Sequence, residues 1–109
     1  MKVKEQIEKT QLQFLEDMKE FNFPKWVNEK NNHYSLNLSF SGVSHVAKGL
    51  TDLTMVYTGE TLYTPFQGAL LENSLIGAFT CADAVNIQGM AIFVDFIRNI
   101  VPMELRVNK

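Results

Sequence analysis

Residues 63–84, YTPFQGALLENSLIGAFTCADA, set the terms on which the rest of the chain is read. Thr64-Pro65 is a good helix start, because a threonine oxygen can cap free N–H groups and proline at the first helical position gives up nothing. From Phe66 to about Asp83, side chains placed at steps of about 100° leave Gln67, Glu72, Asn73, Ser74 and Thr80 scattered among apolar or small neighbours. A helix with no wet face is one surrounded by protein. Gly68, Ala69, Gly77, Ala78 and Ala82 would let other elements approach it closely, and the carboxylate of Glu72 near its middle calls for an explanation.

Working upstream, Val3, Ile7, Phe14, Leu15, Met18 and Phe21 recur at helical spacing, which predicts an amphipathic helix over about residues 2–21. FNFPKW should end it, since Pro24 cannot continue a helix, and NEKNN at 28–32 reads as a polar loop. HYSLNLSF at 33–40 alternates Leu36, Leu38 and Phe40 with Ser35, Asn37 and Ser39, the period of a half-buried strand. After a turn at Gly42, HVAKGLTDLTMVY at 45–57 reads as a second strand, best where Leu53, Met55 and Tyr57 share a face, with Gly49 marking a bulge. Downstream, MAIFVDFIRNI at 90–100 is expected to be a strand covered on both faces. Pro102 interrupts the ladder, and MELRV at 103–107 begins a fourth strand.

Composition narrows the possibilities. The 109 residues suit a single domain spanning 1–109, small enough that a partner would help to bury surface. A net charge of -2, with scattered basic residues, gives no reason to expect a nucleic-acid partner. The charged start MKVKEQIEKTQLQ lacks the apolar core of a secretory signal, and no run of about 20 apolar residues is present to span a bilayer. A cytoplasmic protein without membrane contact is the expectation. One cysteine, Cys81, and two histidines, His33 and His45, offer neither an internal disulfide nor zinc-type spacing, so neither metal nor cofactor is expected. The NLS sequon at 37–39 is read as chance.

These elements together predict an α+β domain: an antiparallel sheet packed around a long central buried helix over about 65–83, with an N-terminal amphipathic helix. At this point LYTPFQGALLENSLIGAFTCADA and VDFIRNIVPMELRV resemble hotdog-fold acyl-CoA thioesterases of the phenylacetate-degradation and 4-hydroxybenzoyl-CoA types, over roughly residues 45–107. In that family a turn usually rich in His and Gly opens the long helix, an acid lies about two turns inside it, and a strand ending in an FLRP-like sequence follows. Glu72 stands where the family's acid stands, and FIRNIVP at the strand end. Two features depart from the pattern. The turn is Tyr63-Thr64-Pro65, so the N–H that polarises a thioester carbonyl would have to come from Phe66 or Gln67. The short MELRV segment would leave an open sheet edge, which invites a homodimer or strand exchange.

The resemblance implies that Glu72 serves as general base or nucleophile in thioester hydrolysis at a dimer interface, its pKa raised by apolar neighbours. Tyr63, Thr64, Phe66, Gln67, Gly68, Asn73 and Asp95 would line the substrate site. The residues alone also admit a Glu72 paired with Arg98 or Lys48, and an Asp95 facing Arg98 or a dimer interface. The competing expectations are a dimeric module that binds an acyl-CoA, another apolar small molecule or a protein without chemistry, and an assembly protein in which the helix is only core.

Overall fold

A computed structural model describes residues 2–59, 67 and 83–105. Those residues form helices α1 (Lys2–Met18), α2 (Phe23–Tyr34), α3 (Phe40–Tyr57), α4 (Ala84–Gln88) and α5 (Met90–Asn99), with a 3₁₀ turn at Met103–Leu105. Among the described residues there is no strand. The α+β, hotdog-like architecture with its antiparallel sheet is therefore corrected to a helical one. The central helix expected over 65–83 lies almost wholly outside the described residues.

The N-terminal helix forms, ending at Met18 rather than about Phe21, and buries Phe14 to 2% exposure with Met18 packed on the core, while Ile7 of the expected apolar face is 37% exposed. It stops at Met18, where Lys19 N–H turns back to the Glu16 carbonyl and Phe21 N–H to the Met18 carbonyl. Pro24, expected to mark the end of a helix, instead opens the next one. It sits in the first turn of α2, where a missing N–H costs nothing, while the Asn22 side chain accepts from Lys25 N–H at 3.1 Å. NEKNN is thus helix rather than loop: Asn28, Glu29 and Asn32 face solvent, and Val27 and Asn31 are buried.

The alternation in HYSLNLSF corresponds to no strand. Tyr34 ends α2, and Ser35 and Asn37 both take left-handed backbone, with φ of 53° and 61°, which breaks any extended ladder. Leu36 N–H reaches the Asn31 carbonyl at 3.1 Å, a six-to-one helix closure with serine where glycine is usual. The buried Asn31 side chain clamps Leu38 at two points, accepting from its N–H at 2.9 Å and donating to its carbonyl at 3.3 Å. These two bonds satisfy both the N–H and the carbonyl of buried Leu38, which no sheet neighbour serves.

Ser39 caps α3 by accepting from Gly42 N–H at 3.1 Å, so Gly42 lies inside a helix rather than at a hairpin turn. Val43, Val46, Ala47, Leu50, Leu53, Thr54 and Tyr57 are all buried, a series spaced three and four apart that only a helix can turn to one side. The strand expected over 45–57 is corrected accordingly. Thr54, buried among them, donates to the Leu50 carbonyl at 3.0 Å. Gly49 marks close packing instead of a bulge: a Cβ there would stand 3.0 Å from the Phe93 ring.

The strand expected over 90–100 is α5. A short run apolar on nearly every side fits a buried strand and a buried helix equally well by pattern, and here Ile92, Phe93 and Phe96 are sealed in the core. Phe96 meets the rings of Phe21, Phe23 and Trp26 at centroid distances of 6.1, 5.9 and 5.7 Å. Ile100 and Val101 N–H both turn back to its carbonyl, and beyond Pro102 the expected fourth strand is a 3₁₀ turn through Leu105 that packs on α1.

Candidate functional site

The core of α3 and α5 leaves one stripe of α5 turned outward. Ala91 and Val94 are half-buried and Arg98 is exposed, at positions i, i+3 and i+7 of one helical face. With Met90, Asp95, Asn99 and Tyr34 from the end of α2, they line a cleft of about 520 Å³. Apolar carbons and a few polar groups thus meet in one hollow, the usual make-up of a small-molecule site.

Asp95 forms the buried floor of that cleft, at 7% exposure. Its Oδ2 accepts from the Tyr34 hydroxyl at 2.6 Å and lies 3.2 Å from the Lys30 ammonium, and its Oδ1 accepts from the Asn99 amide at 2.9 Å. Burial works against the charge of Asp95, but the hydrogen bonds from Tyr34, Asn99 and Lys30, together with the Lys30 charge, outweigh it and hold the carboxyl below its usual range. The hydrogen bond to Asp95, with partial desolvation and the carboxylate charge, pushes the Tyr34 hydroxyl above the ordinary tyrosine range. Lys30 also stands 5.3 Å from the centroid of the Trp26 ring, within reach of a cation–π attraction.

Of the residues expected at a site, Asp95 lies among the described residues with named partners. Gln67 is helical and half-buried. Glu72, Tyr63, Thr64, Phe66, Gly68 and Asn73 lie outside the described residues. Asp95 therefore gathers partners from α2, Tyr34 and Lys30, which sequence reading had placed on a strand and in a loop. The signal that would have found them is helical spacing: Lys30 and Tyr34 are four residues apart, as are Asp95 and Asn99. His33 is exposed and packs edge-on against the Tyr34 ring at 4.9 Å, and His45 pairs with Asp83 at 3.1 Å on the surface. Among the described residues, no group of three or more His, Cys, Asp or Glu side chains is placed to hold a metal ion, and no helix is long and apolar enough to cross a membrane.

No protein-family model, curated protein or solved structure matches this chain.

Proposed function

We propose that the chain is a helical binding module that takes a small molecule with an apolar body in the cleft between the end of α2 and the outer face of α5. The observation that carries this reading is the buried, three-fold bonded carboxylate of Asp95 beneath the half-buried Ala91 and Val94. The polar cluster holds the two helices in register, and the apolar side chains above it leave carbon surface for a ligand to cover. The expectation of thioester hydrolysis rests on Glu72, which lies outside the described residues, so the geometry of Asp95 supports binding and supplies no step of chemistry.

The test is protein-observed NMR with two simple probes, 1-octanol and octanoate. At least one is expected to move the signals of Ala91, Val94 and Tyr34 in a saturable way, and Ala91→Trp, which fills the cleft, is expected to abolish those shifts. If neither probe binds, or if binding is indifferent to Ala91→Trp, the reading is wrong.

A further inference from the structure

The two oxygens of Asp95 are unequally used. Oδ2 accepts from the Tyr34 hydroxyl at 2.6 Å and meets the Lys30 ammonium at 3.2 Å, whereas Oδ1 accepts from the Asn99 amide at 2.9 Å and, among the described residues, from nothing else. A carboxylate offers about two acceptor sites on each oxygen, so Oδ2 is fully engaged and Oδ1 keeps one site, on a side chain that lines the cleft. At 7% exposure of Asp95, bulk water serves that site poorly, and a donor carried by a ligand is the better partner.

The helix sets where that site lies relative to the carbon surface. Ala91, Asp95 and Asn99 stand four residues apart in one row of α5, with about 6 Å of rise between successive members, and Val94 lies beside the row. A carbon chain laid over Ala91 and Val94 therefore ends at Asp95.

Resting on the cleft reading above, we propose that the ligand is an alcohol whose carbon chain covers Ala91 and Val94 and whose hydroxyl donates to Asp95 Oδ1. An O–H donor on a carboxylate makes one of the stronger hydrogen bonds. An ether of the same size sets an acceptor against that carboxylate and forms no such bond. Donors anywhere in the cleft serve the oxygen of an alcohol and of an ether alike, so the selection is made by the acceptor side.

The experiment is calorimetric titration of the full chain with 1-hexanol and with its isomer pentyl methyl ether. The alcohol is expected to bind about 10-fold more tightly, the scale of one hydrogen bond to a charged group. Asp95→Asn is expected to narrow that ratio to about 3-fold or less. Asn99→Ala, a change at an exposed position, is expected to keep it, because the amide removed is a donor to Oδ1, and Ala91→Trp to remove binding of both probes. If Asp95→Asn does not fold, the parent chain and Asn99→Ala decide between them. Equal binding of the two isomers, a preference lost in Asn99→Ala, or a preference kept in Asp95→Asn overturns the hydroxyl assignment while leaving the cleft as a binding site. Absence of binding by both probes, or binding indifferent to Ala91→Trp, overturns the cleft reading as well.

Discussion

Asp95 illustrates how a residue's neighbours decide its chemistry. A carboxylate at 7% exposure would ordinarily be costly, and here three donors offset the cost. Because its folded-state pKa lies below the ordinary value, the stability it contributes is present above about pH 4 and is lost as pH falls through the depressed folded value. Tyr34 has the opposite sign: its raised pKa means a contribution present below about pH 10 and lost as pH rises beyond it. Asp95→Asn is thus expected to cost about 1.5–3 kcal/mol at pH 7 in a urea titration, the range for hydrogen bonds to a charged group. The same variant should show flatter acid and alkaline limbs than the parent chain. An unchanged acid limb would mean that Asp95 does not titrate as described.

At the scale of elements, the helices are delimited by short-range devices. Asn22 and Ser39 cap α2 and α3 with their own side chains, and α2 closes through a left-handed Ser35. A non-glycine residue in that conformation costs about 1 kcal/mol. Ser35→Gly is therefore expected to raise the thermal midpoint by a few degrees with no change in helix content. A lowered midpoint would show that the serine side chain contributes more than its backbone conformation costs. The caps were not legible in a sequence whose 28–32 reads as a loop and whose 33–40 reads as a strand, whereas the N-terminal helix was legible from its periodicity. The stretch at 33–40 misled because two-residue alternation of leucines arises equally from a tight loop that points Leu36 and Leu38 inward. Phe40, the third member of the supposed face, is 91% exposed at the start of α3.

At the scale of the molecule, close contact between helices replaces the expected sheet among the described residues. Gly49 lies against Phe93, and a Cβ on Gly89 would stand 2.8 Å from a Val46 methyl, so at the junction of α4 and α5 with α3 a larger residue would force Val46 to shift. Gly89→Ala is expected to cost about 1–3 kcal/mol by overpacking. Adding Val46→Ala should recover part of that loss, a non-additivity that a double-mutant cycle in denaturant would register. Simple additivity of the two changes would refute direct contact as the cause. The same packing explains why the candidate site was only partly visible beforehand: Asp95 was singled out, but its hydroxyl partner lies 61 residues away on α2.

The amino-acid sequence by itself determined that the N-terminal segment is helical and that Phe14 and Met18 turn inward, because a repeat near 3.6 residues is a local property of the chain, although Ile7 of the same series is 37% exposed. It indicated equally that most of 90–100 would be covered, and Met90, Ile92, Phe93, Phe96 and Ile97 are buried there, while in 45–57 it marked an apolar face of which Leu53 and Tyr57 are buried. Whether those buried runs coil or extend was decided by tertiary structure. Both conformations satisfy backbone hydrogen bonds, and the choice fell to which one lets Val46, Leu50, Phe93 and Phe96 fill a common interior. The same assembly brought Lys30 and Tyr34 to Asp95: four-residue spacing pairs Lys30 with Tyr34 and Asp95 with Asn99, but only packing joins the two pairs.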